Sequence, residues 1–94
     1  MTGKERAKLR GMANTIQPIF QIGKSGIGET MVEQLGRALD ARELIKITVL
    51  ETADVTAREA CGQLCEALRA EPVQCIGRKI TLYRRNEKEP KIEL

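Results

Sequence analysis

Apolar residues along this chain recur at two periods, and the switches between them divide it into seven elements. Leu9, Met12, Ala13 and Ile16 repeat at helical spacing. Thr2-Gly3-Lys4-Glu5 ahead of them matches a capping box, so a first helix starts at the N-terminus. Pro18 pushes Gln17 toward an extended conformation and ends that helix. A short strand follows at Pro18-Ile19-Phe20-Gln21-Ile22. A second helix, from about Gly28 to Asp40, places Ile27, Met31, Leu35, Ala38 and Leu39 on one stripe. From Leu44 to Leu50 the period drops to two, with Ile45, Ile47 and Val49 on one face. Lys46 and Thr48 make the other face at least partly wet.

The third helix covers about Asp54 to Ala70. Ala57, Ala60, Cys61, Leu64, Cys65 and Leu68 form its apolar stripe, and Pro72 marks its stop. Val73 to Ile76, a turn at Gly77-Arg78-Lys79 and Ile80 to Arg84 read as a β-hairpin. From about Asn86 onward, charge and Pro90 predict a mobile tail. The order α-β-α-β-α-β-β gives an α/β fold: a single two-layer domain over residues 1–86, with a charged tail at 87–94. Its four strands form one mixed sheet with helices mainly on one face. The β-α-β crossovers make parallel neighbours, and the final hairpin adds an antiparallel pair.

Composition bounds the function. No apolar run approaches the roughly 18 residues of a membrane span, and the N-terminus is charged rather than signal-like. Three cysteines without a secretion signal argue against a disulfide framework, so a cytoplasmic protein with no membrane partner is expected. The net charge of +3 is unevenly spread. Residues 1–26 carry five basic and one acidic residue, 27–71 five and nine, and 72–94 six and three. Basic ends around an acidic middle give a polarised surface if the ends meet. Such a surface fits a polyanion binder, and by charge alone it fits solvated faces equally well.

Gly23-Lys24-Ser25-Gly26 carries the candidate chemistry, as a glycine-bracketed loop between a strand and a helix. Glycines let the backbone turn tightly and approach a ligand. The helix points open N–H groups and its positive dipole end toward the loop, where Lys24 adds a full charge. A nucleotide P-loop would need glycine at position 18, which is Pro18. Gly23, Gly26 and Gly28 run in the reverse order of a dinucleotide fingerprint. With no histidine in the chain, a zinc site and the commonest general base are both missing. Cys61, Cys65 and Cys75 read as buried core thiols. The expectation is a protein that is not an enzyme and takes no cofactor or metal.

A G-x-x-G loop can clamp the backbone of single-stranded RNA. Phe20 and Tyr83 are the only aromatics, so no base-stacking platform is available and contacts should fall on phosphate. Phe20 reads as core; Tyr83 is an exposed contact or a half-buried strand residue.

The blocks Gly23-Lys24-Ser25-Gly26-Ile27, Glu43-Leu44-Ile45-Lys46-Ile47, Val73-Gln74-Cys75-Ile76-Gly77 and Ile80-Thr81-Leu82-Tyr83-Arg84 together resemble the CRM domain. Within it they resemble the stand-alone bacterial YhbY-like proteins, over residues 2–85. The resemblance implies the fold above, related to the C-terminal domain of translation initiation factor three and reminiscent of KH domains. It also implies RNA binding through Gly23, Lys24, Ser25 and Gly26. The implied partner is large-subunit ribosomal RNA in precursor particles, with ribosomal proteins as further partners and a role in ribosome assembly. Charge adds Lys4 and Lys8 of the first helix and Arg78, Lys79 and Arg84 of the hairpin to the candidate site. A protein-interaction module that docks on a ribosomal protein through the acidic middle stays open, as does a small phosphometabolite binder.

Overall fold

Two capping boxes start helices. Thr2 accepts from the Glu5 N–H at 3.1 Å and Glu5 accepts from the Thr2 N–H at 2.9 Å, opening α1 (Gly3–Ala13). Thr56 and Glu59 repeat both bonds at the same distances and open α3 (Ala57–Leu68). In the computed structural model, which describes residues 1–94, the other elements are β1 (Phe20–Ile22), α2 (Glu29–Arg42), β2 (Leu44–Val49), β3 (Glu71–Ile76) and β4 (Lys79–Tyr83). The expected order holds. α1 stops four residues before Gln17, where the Thr15 hydroxyl caps the Met12 carbonyl at 2.8 Å.

The strands form one mixed sheet in the order β1-β2-β4-β3. β1 runs parallel to β2, with Ile22 opposite Val49, and β4 is antiparallel to both β2 and β3. The crossover through α3 therefore joins parallel strands that are not neighbours, because β4 folds back between them. Gly77, at φ +59, begins the two-residue hairpin turn, a left-handed position that glycine fills at little cost. Pro72 lies inside β3 rather than ahead of it. It is tolerated because β3 is an edge strand, and a bulge between Pro72 and Gln74 resets the alternation.

α2 and α3 cover one face. Leu35 and Leu39 of α2 and Ala60, Leu64 and Leu68 of α3 meet Ile22, Ile45, Ile47, Ile80 and Leu82 in the main core. Each buried Leu or Ile contributes about 1.5–3 kcal/mol. Phe20 packs against this core as expected. α1 lies on the opposite face, where Leu9 and Ala13 cover Leu44, Val73 and Tyr83. Tyr83 is therefore buried, and burial raises its phenol pKa. Cys61 is buried and Cys65 half-buried, but Cys75 is exposed on edge strand β3, so only the helical pair behaves as core. Burial, with Cys61 alongside, pushes the Cys65 thiol up to about 12.

The tail is held rather than loose. Glu43 caps α2 at φ 65 and is fully buried. Its carboxylate accepts the backbone N–H groups of Asn86 at 2.6 Å, Lys91 at 2.7 Å and Ile92 at 2.7 Å. Asn86 ties the segment to itself, accepting from Lys88 and Glu89, and donates to the Asp40 carbonyl at 2.8 Å. Charge composition predicted mobility because it sees the solvated side chains and misses these main-chain donors.

Candidate nucleic-acid interface

The loop after β1 closes as a tight turn, the Gly26 N–H donating to the Gly23 carbonyl at 3.0 Å. Gly26 sits at φ +71, which an L side chain rarely adopts. Gly23 is under no such demand: a Cβ there would meet Leu50 Cδ1 at 3.6 Å and Thr52 Oγ1 at 3.8 Å, ordinary contact distances. Lys24 and Ser25 are exposed at the tip, while Ile27 packs against the main core and pins the loop's exit.

Gly28 caps α2 without a side-chain acceptor, and the helix's first hydrogen bond runs from Val32 N–H to the Gly28 carbonyl. The N–H groups of Glu29, Thr30 and Met31 are thus open, as are those of Lys24, Ser25, Ile27 and Gly28 in the loop. Open donors, a helix N-terminus and one exposed ammonium thus fall within residues 24–31, a combination suited to an anion.

Sheet order decides which other basic residues share this end. Leu50 N–H donates to Ile22 carbonyl at 2.8 Å, and Val49 N–H to Arg78 carbonyl at 2.7 Å. The G-x-x-G loop and the hairpin turn therefore flank the same end of β2, two strand spacings apart, about 10 Å. Lys24, Arg78 and Lys79 gather there. Arg78 pairs with Glu51 at 3.1 Å, but both are well exposed, so the pair is weak and open to exchange for a phosphate.

The remaining candidates lie at the opposite end of the strands. α1 crosses the sheet there over Leu44 and Tyr83, with Arg6 donating to the Pro72 carbonyl at 3.3 Å. Lys4 lies beside Leu94, and Lys8 donates to the Glu93 carbonyl. Arg84 is a structural residue in its contacts. Its guanidinium donates to the Leu68 carbonyl at 2.8 Å, the Gly36 carbonyl at 2.9 Å and Asp40 Oδ1 at 2.8 Å, tying together α2 and the end of α3. The sequence marks Arg84 as basic and gives no sign of those three oxygens.

Glu43 is the buried residue that sequence reasoning missed. Burial works to raise its pKa, yet the three tail N–H donors and the charge of Lys91 hold the carboxyl below its usual value. No helix is long and apolar enough to cross a membrane.

Comparison with known proteins matches residues 1–84 to the family model of the CRS1 / YhbY (CRM) domain. The chain is 39% identical to the "Probable RNA-binding protein YqeI" of Bacillus subtilis, over all of this chain and 98% of that protein. It is 31% identical to a protein of Haemophilus influenzae named RNA-binding protein, over all of this chain and 94% of the other. Among solved structures, SAV1595 of Staphylococcus aureus, described as a candidate RNA-binding protein, superposes with a TM-score of 0.82. Its identity is 46%, covering 100% of this chain and 98% of that one.

Proposed function

Because the chain belongs to the CRS1 / YhbY (CRM) domain family, we propose that it is a non-catalytic RNA-binding protein that contacts RNA backbone through the Gly23–Gly26 loop. The observation that carries this reading is the run of open N–H groups around the exposed Lys24, at the end of the sheet that also holds Arg78 and Lys79. Lys24 supplies charge, Gly26 supplies the backbone conformation, and Ser25 offers its hydroxyl and N–H. The names of the relatives support RNA as the ligand. Precursors of the large ribosomal subunit are the proposed setting and assistance of their assembly the proposed role, in the cytoplasm.

Fluorescence anisotropy with large-subunit ribosomal RNA fragments at 50 and 200 mM salt tests this reading. Wild type should bind with steep salt dependence, and Lys24→Asp/Ser25→Asp should lose it with an intact circular dichroism spectrum. Equal binding by both proteins would move the site off the loop. Absence of binding by either would favour docking on a ribosomal protein.

A further inference from the structure

The sheet face opposite α2 and α3 is only half covered. α1 shields Leu44, Val73 and Tyr83 at one end and leaves the half beside the G-x-x-G loop open. Strand register arranges that half in two rows. Gln21, Thr48 and Lys79 lie side by side across β1, β2 and β4, with Ile76 of β3 next to Lys79. One step further from the loop come Lys46, Thr81 and Gln74.

Three properties set this strip apart. It holds two lysines and no acid. Thr81 is buried, but the side chains of Gln21, Lys46, Thr48, Gln74 and Lys79 enter none of the chain's ion pairs or side-chain hydrogen bonds, although Gln21 and Lys79 are exposed and the other three half-exposed. At the far end Lys8, Arg84 and Lys91 donate to oxygens of the chain, and Lys4 is the candidate there that does not. Finally, Ile76 is 65% exposed and is the only large apolar side chain in the open rows, too little to anchor a protein interface.

We propose that this strip seats a short single-stranded RNA segment continuing from the loop, with Lys46 and Lys79 taking phosphates and Gln21 and Gln74 reading base edges. The proposal rests on the loop being a phosphate contact. Continuity supports it: β1 carries Gln21 two residues before Gly23, so a strand leaving the loop meets the Gln21–Lys79 row first. Each glutamine amide offers donors and an acceptor to a base edge. A helix is about 10–12 Å across, so α1 stands as a wall along the strip and keeps a wide duplex from lying flat on it. A-form duplexes also hide their major-groove edges from side chains.

The test uses the full chain and labelled ten-nucleotide oligomers of A, U and C, with an RNA hairpin duplex as comparison, at 50 and 200 mM salt. Lys46→Ala/Lys79→Ala should weaken every single strand about 10-fold or more and lower the salt slope by about 1.4, at about 0.7 per phosphate contact. Gln21→Ala/Gln74→Ala should compress affinity differences among the three oligomers and leave the salt slope unchanged. Duplex affinity should be unaffected by either variant. If both strip variants match wild type while Lys24→Asp/Ser25→Asp loses binding, the strip is not the seat and the loop reading survives. If wild type binds none of these RNAs, both proposals fall.

Discussion

Ile92 donates its backbone N–H to Glu43 Oε1 at 2.7 Å, across 49 residues of sequence. The bond places the end of the chain against the C-terminus of α2. It also makes a fully buried carboxylate the anchor of a segment that otherwise looks solvated.

Glu43→Gln should destabilise the fold by about 2–3 kcal/mol. An amide cannot accept on both sides, so its NH2 would face either the Asn86 donor or the Lys91 and Ile92 pair. Urea titration should show a lower midpoint, and hydrogen exchange should show lost protection at Lys91 and Ile92. Unchanged protection there would mean that the carboxylate does not hold the tail.

The same carboxyl sets an acid limit. Its folded pKa lies below the usual value of 4.5, so its contribution is complete above that value and is lost as pH falls through the folded pKa. Glu5 and Glu59, lowered chiefly by hydrogen bonds within their capping boxes, titrate with the same sign. Wild-type stability measured from pH 7 to pH 3 should therefore fall below about 4.5. Glu43→Gln should show a shallower decline, and parallel curves would contradict this assignment.

Arg84→Ala should lower stability by about 1–3 kcal/mol while leaving RNA affinity at wild-type strength, since its three acceptors lie on α2 and α3. Arg84→Lys should recover only part of the loss, because one ammonium cannot reproduce a planar fork. Weakened RNA binding with unchanged stability would reverse the assignment.

The two loop glycines should respond differently. Gly26→Ala forces a side chain into a left-handed conformation and should cost about 1–2 kcal/mol, disturbing the loop. Gly23→Ala finds ordinary contact distances and should leave stability nearly unchanged. If Gly23→Ala nonetheless abolishes RNA binding, that glycine serves ligand approach rather than folding.

Much of this fold was legible in local pattern. The Thr2 capping box, the stripe through Leu35 and Leu39 and the alternation of Ile45, Ile47 and Val49 each reflect a rule acting within a few residues. What escaped depends on contacts distant in sequence. Glu43 and Ile92 share no local signature, Arg84 looks like any surface cation, and the slot that β4 takes between β2 and β3 is a choice of topology rather than period. The Thr56–Glu59 capping box is equally local, and it starts α3 at Ala57, three residues after the Asp54 expected from the apolar stripe. Within the candidate site, charge alone united Lys4, Lys8 and Arg84 with the loop, whereas strand order assigns them to the other end.

Pro72 and the bulge beside it bear on how the protein behaves at high concentration. An outer strand with an unbroken row of free amides invites a neighbouring molecule to extend the sheet. β3 interrupts that row with a residue that has no amide hydrogen and a kink next to it, and β1, at the other margin, is only three residues long. Neither margin offers a long unbroken template for strand addition, so concentrated solutions of the protein should resist edge-to-edge pairing.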